Sequence, residues 1–191
     1  TMYEYGQNGR RTRAVDAAGY VTLYAYDAVG NLIGQTDGNG NTTQYQYDAN
    51  GNRTKIVDPL GNETTYAYDE LNRNTSITDP LGNVTGMTYD PVGRLVRQTA
   101  PDGGVTQYAY DAAGRKVSET DPRANVTQYR YDGAGRLTEG ENALGQITRY
   151  GYDANGNQTQ SQDPLGNITT YEHNPLDRLA CVIDALGSQT T

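Results

Sequence analysis

Apolar and polar positions alternate along this chain in short, evenly spaced runs. Thr64, Tyr66 and Tyr68 alternate with Glu63, Thr65 and Ala67. Thr43, Tyr45 and Tyr47 keep the same phase, as do Thr148, Tyr150 and Tyr152. A period of two marks a strand with two different faces. Turn signals bound each run, and every Pro falls inside a turn, where it costs no ladder hydrogen bond. No run has helical periodicity. Several short strands joined by regular turns predict an all-β antiparallel hairpin meander.

The pattern repeats. Tyr-Asp pairs fall at Tyr26-Asp27, Tyr47-Asp48, Tyr68-Asp69, Tyr89-Asp90, Tyr110-Asp111, Tyr131-Asp132 and Tyr152-Asp153, a period of 21 residues without insertion. Such a period signals a repeat architecture. Each period holds two turns of the form Asp-x-x-Gly. The first follows the tyrosines and closes at Gly30, Gly51, Gly93, Gly114, Gly135 and Gly156. The second often carries Pro, as in Asp58-Pro59-Leu60-Gly61. Asp bonds its own backbone, Pro presets φ, and Gly accepts a positive φ. Fourteen of the 16 Asp residues open such a turn, which leaves few carboxylates for chemistry. Asn72, Asp177 and Ala124 replace turn glycines, with a strain of ~1–2 kcal/mol expected at Ala124 if its φ stays positive.

A three-residue loop Ala49-Asn50-Gly51 places Asp48 opposite Asn52, Tyr47 opposite Arg53 and Tyr45 opposite Lys55. A second loop of odd length would then send the next tyrosines to the other side, because a one-residue slip inverts every side chain. The expectation is therefore an even-length second loop, Gly61-Asn62 or Pro59 to Asn62, and a single tyrosine face. About eighteen strands follow, too many for a flat open sheet, so the ribbon should curl into a spiral or barrel-like shell wall. The whole chain, residues 1–191, reads as one array of about nine repeats with no separate domain. It opens and closes in mid-strand without capping repeats, so it reads as an excised fragment of a larger protein. The strand edges near Thr1–Tyr5 and Ile168–Tyr171 should then pair end to end between copies.

Composition narrows the function. Hydrophobic residues make up 35% of the chain, with no Phe or Trp but 17 Tyr, which suits an ordered, thin wall more than a deep core. The net charge of −8 argues against a nucleic-acid partner. No apolar stretch approaches a membrane span. Cys181 and His173 are each the sole residue of their kind, so neither a disulfide nor a nucleophile–base pair is credible. His173 stands where other repeats carry Tyr and reads as a worn copy. Asp48 to Asn52 and Asp153 to Asn157 superficially resemble the start of a calcium loop but lack its Gly at position 6 and Glu at position 12. No catalytic, metal or cofactor site is expected. Asn-x-Ser/Thr sequons such as Asn83-Val84-Thr85 arise from the repeat itself. Cross-turn pairs Asp111–Arg115 and Asp132–Arg136 read as solvated. The tyrosines Tyr45, Tyr66, Tyr108, Tyr129 and Tyr150 could stack on sugars, against the plainer reading that they pack between neighbouring hairpins.

The run Tyr131-Asp132-Gly133-Ala134-Gly135-Arg136-Leu137, with Asp-Pro-Leu-Gly-Asn and Thr-x-Tyr-x-Tyr-Asp, resembles the YD-repeat or Rhs (rearrangement hotspot) family over essentially the whole chain. The Asp-Pro-Leu-Gly-Asn wording is similar to bacterial members more than to the animal teneurins. The resemblance implies a β-strip wound into a hollow shell. In Rhs and toxin-complex members such a shell encloses a C-terminal toxin until delivery, often through a secretion apparatus. It also implies secretion or a cell-surface location, and an association with carbohydrate that makes an adhesion module the alternative function. Family members cut their own chain at a C-terminal motif absent here, so no catalytic residue carries over. Implied partners are adjacent repeats and the toxin domain, with glycans as a further candidate and no membrane insertion.

Overall fold

A computed structural model describes residues 1–191 and contains nineteen β-strands, with all observed pairings antiparallel. The chain divides into two compact units, residues 1–88 with 99–103, and residues 89–98 with 104–191. The first unit is built on β1 (Met2–Tyr5), β2 (Arg11–Val15), β3 (Val21–Tyr26), β4 (Leu32–Thr36), β5 (Thr42–Tyr47), β6 (Arg53–Val57), β7 (Glu63–Tyr68), β8 (Asn74–Thr78) and most of β9 (Val84–Tyr89). The second holds most of β10 (Leu95–Thr99), then β11 (Val105–Tyr110), β12 (Lys116–Thr120), β13 (Val126–Tyr131), β14 (Leu137–Glu141), β15 (Ile147–Tyr152), β16 (Gln158–Gln162), β17 (Ile168–His173), β18 (Leu179–Ile183) and β19 (Gln189–Thr190). Within the first unit each strand from β1 to β9 pairs with its successor, and within the second β11 to β19 do the same.

The register corrects the expected loop. The second turn is a three-residue loop, Pro59-Leu60-Gly61, closed by Asp58 N donating to Asn62 O at 3.0 Å. Yet the tyrosines stay on one side, because the parity is restored elsewhere. Tyr47 faces Arg53, but Gln46 faces Lys55 and Tyr45 faces Ile56, so Thr54 is an extra residue, a β-bulge. Ile56 in turn faces Thr64, which shares its face with Tyr66. Lys55 therefore stands opposite Gln46, not Tyr45. The same bulge recurs at Thr12, Ile33 and Thr75 in the first unit and at Val117, Thr138, Thr159 and Ala180 in the second. Two three-residue loops alone would flip the tyrosine face at every 21-residue period, and the single bulge flips it back.

No deep core exists. Cys181, at 9% exposure, is the one hydrophobic side chain that counts as buried, and no side chain is fully enclosed. Tyrosines of the first face are half-buried, while Gln44 and Gln46 of the other face are exposed. The second face carries ion pairs instead, such as Lys55–Glu63 at 2.8 Å and the Arg130–Glu139–Arg149 chain at 2.6 and 3.1 Å. Area burial is thus modest, and cohesion between repeats has to come from polar bonds that cross from one repeat to the next.

Candidate binding face and the ladder between repeats

Most turns are clasped by their opening aspartate, a place taken by Asn142 and Asn174 in two others. Asp48 Oδ1 accepts from the backbone N–H groups of Asn50 and Asn52 at 3.0 and 2.8 Å, and Oδ2 accepts from Asn52 Nδ2 at 2.9 Å. Where Arg replaces that Asn, its Nε takes over, at 2.7 Å in Arg73, Arg94, Arg115 and Arg136. Second turns repeat the clasp, as Asp58 does with Leu60 and Asn62. The Asn62 side-chain amide, followed by its backbone N–H, holds the Asp58 carboxyl below its ordinary value. Gly51 sits at φ 83°, and Asn72, Ala124 and Asp177 keep φ at 60°, 64° and 57°. The worn turns have therefore kept the geometry of the glycine turns.

The second tyrosine of each pair reaches back one repeat. Tyr47 Oη donates to the Leu32 carbonyl at 2.9 Å, and Tyr26, Tyr68, Tyr110, Tyr131 and Tyr152 make the same bond to Arg11, Arg53, Leu95, Lys116 and Leu137 at 2.8–3.0 Å. Arg11, Leu32, Arg53, Lys116 and Leu137 each stand just before a bulge. The tyrosine hydroxyl therefore ties each of these bulges to the following repeat.

A second set of rungs links the turns. Arg94, Arg115 and Arg136 each donate Nη1 to the carbonyl of the next repeat's aspartate, Asp111, Asp132 and Asp153, at 3.0, 3.0 and 2.8 Å. Their guanidinium groups also lie over the next repeat's rings, Tyr110, Tyr131 and Tyr152, at 4.9–5.0 Å. The Asp111–Arg115 and Asp132–Arg136 pairs are thus partly buried rungs and not the solvated pairs expected. Asn turns use a different rung. Asn50 and Asn52 both donate to Asn72 Oδ1, at 3.0 and 2.7 Å, and Asn155 and Asn157 both donate to Asp177 Oδ1, at 3.0 and 2.8 Å. Asn72 and Asp177, two of the three non-glycine residues at positive φ, are therefore acceptors for the repeat before them. The residue four after each first-turn Asp, Arg or Asn in fixed phase, was the signal for these rungs in the sequence.

The first tyrosines, the candidates for sugar stacking, are partly taken by cations of the bulged strands. Arg53 lies 5.9 Å from the Tyr45 ring and 5.5 Å from Tyr66, and Lys116 lies 5.8 Å from Tyr108 and 5.0 Å from Tyr129. Tyr150 has Leu137 and Gln158 at the corresponding flanking positions. No three His, Cys, Asp or Glu side chains come together as metal ligands.

Comparison with known proteins follows this geometry. The RHS Repeat family model matches residues 5–42, 26–63, 47–84, 74–104, 89–126, 117–141, 131–168 and 152–189. No curated protein matches. Among solved structures, the chain is similar to the Photorhabdus luminescens Tc holotoxin pore, with a TM-score of 0.63, 16% identity and 96% of this chain covered. It is also similar to the crystal structure of TcdB2-TccC3-TEV, with a TM-score of 0.57, 16% identity and 95% covered. The chain spans 13% of the length of each of those chains, and the likeness is one of fold. With eight overlapping matches running from residue 5 to residue 189, the chain belongs to the RHS-repeat family.

Proposed function

We propose that this chain is a non-enzymatic wall segment of an Rhs-type protein, part of a β-sheet cocoon that encloses a C-terminal toxin until delivery outside the cell. The observation that carries this reading is the ladder itself. The hydroxyls of the second tyrosines and the turn arginines are committed to bonds between repeats, and the turn aspartates to clasps within their own turns. A wall needs such bonds because a sheet one strand thick has no core to hold it. The similarity in fold to Tc toxin chains supports the same role.

The test uses the full-length parent protein. Removing residues 100–120, one whole period, should leave the enclosed segment resistant to added protease. Removing residues 100–109, half a period, breaks strand phase and should expose it. A downstream segment digested equally fast in the intact parent would end this reading. On a glycan array the chain should give no saturable signal that depends on Tyr45, Tyr66, Tyr108, Tyr129 or Tyr150.

A further inference from the structure

The ladder leaves one gap in the first unit. Between the turns Asp27–Asn31 and Asp48–Asn52 neither kind of rung is built. Position 31 carries Asn, whose Nδ2 is held by Asp27 Oδ2 at 2.9 Å. Position 51 carries Gly, which has no side-chain acceptor for it. What remains is an open cleft of about 620 Å³ against the Tyr45–Gly51 hairpin.

We propose that this cleft docks an arginine side chain presented by a partner polypeptide. The same cradle, a tyrosine ring beside the carbonyl of the following aspartate, holds a guanidinium from the chain itself at Tyr110/Asp111, Tyr131/Asp132 and Tyr152/Asp153. Around Gly135 the nearest group to an added Cβ would be Arg115 Nη1 at 3.7 Å, whereas at Gly51 it is the acceptor Asn31 Oδ1 at 4.0 Å. The lining includes the carboxylates of Asp27 and Asp48 and no cationic residue. The nearby Arg10 is committed to the preceding rung, through Val29 O at 3.0 Å and the Tyr26 ring at 6.0 Å. Val29 and Ile33, 78% and 39% exposed, line the cleft and offer apolar surface to an arginine's methylene stem. Tyr47 is already fixed by its bond to Leu32, so its ring needs no reordering to receive the cation. A lysine would supply charge but not the planar fork that meets ring and carbonyl together.

The test is an NMR titration of the 191-residue chain with N-acetyl-arginine-N-methylamide, its lysine and citrulline counterparts, and methylguanidinium. The expected result is a saturable shift at the Tyr47 ring and the Asp27 and Asp48 amides with the arginine compound, several-fold larger than with the others. In Asn31→Arg the chain supplies its own rung and the shift should vanish. Arg115→Asn should open an equivalent cleft, so that the arginine compound now shifts Tyr131, which it leaves unmoved in the parent. Shifts spread evenly over all tyrosines, equal shifts with lysine, or shifts retained in Asn31→Arg would overturn the proposal. Methylguanidinium acting as strongly as the arginine compound would overturn the assignment to a whole side chain. If Asn31→Arg does not fold, the Arg115→Asn arm decides alone.

Discussion

Tyr47 donates its hydroxyl to the carbonyl of Leu32 at 2.9 Å, joining one hairpin to the bulge of the hairpin before it. A Tyr47→Phe substitution keeps the ring and removes only that bond. It should cost about 1 kcal/mol, the net worth of one intramolecular hydrogen bond, read as a lowered urea midpoint with unchanged slope. Tyr131→Phe, in the other unit, should cost a similar amount.

Arg115 and Arg130 are both arginines paired with carboxylates, but only Arg115 reaches a carbonyl and a ring of the next repeat. Arg115→Lys should destabilise by about 1 kcal/mol through the lost carbonyl bond and ring contact. Arg130, 52% exposed at its side chain, should tolerate Lys with little change in stability. Equal effects in thermal melts would remove the distinction drawn between rung and surface pair.

Ala124 and Asn72 both sit at positive φ, 64° and 60°, yet they should respond oppositely to glycine. Ala124→Gly relieves ~1 kcal/mol of backbone strain, partly offset by the greater freedom of glycine in the unfolded chain, and should raise Tm slightly. Asn72→Gly relieves similar strain but removes the acceptor for Asn50 and Asn52, so its Tm should not rise. Parallel melting curves of the two variants make the comparison.

His173 stands where its counterparts carry the bonding tyrosine, and its Nδ1 is buried without a partner. Fifteen residues back, the equivalent acceptor would be the Gln158 carbonyl. His173→Tyr should restore that bond and stabilise the last repeats by about 1 kcal/mol. Slower amide exchange across β17 and β18 is the expected sign.

Acid should melt the array through its turns. Hydrogen bonds from Asn62, Asn83 and Asn125, side chain first and backbone second, hold Asp58, Asp79 and Asp121 below the ordinary carboxylate value. A lowered folded pKa contributes stability that is present above the unfolded value and lost as pH falls through the folded one. Stability due to these groups should therefore be flat from neutrality to about pH 5 and then fall steeply below about pH 4. Asp58→Asn should flatten part of that fall, and an unchanged acid limb would show that the clasps do not govern it.

The strands, both turns per period and the common tyrosine face were legible because each leaves a residue signature, alternation for strands and Asp-x-x-Gly for turns. The bulge was not. Thr12, Ile33, Val117 and Ala180 occupy it with no shared chemistry, since an unpaired strand residue needs no particular side chain. Without the bulge, parity demanded an even second loop, and that inference failed although its conclusion of one face held. The rungs were missed for a related reason. Arg94 and Asp111 lie 17 residues apart, and nothing local in either turn shows that the two meet.

By itself the sequence determined the repeating unit, its strand phase and where the chain must turn, because these depend on neighbours within a few residues. Tertiary structure decided what each repeat does for the next: which carbonyl a tyrosine hydroxyl reaches, which turns share an arginine, and that the gap after Asn31 is left open. Those outcomes depend on the spacing between adjacent hairpins, a distance that exists only once the sheet has formed.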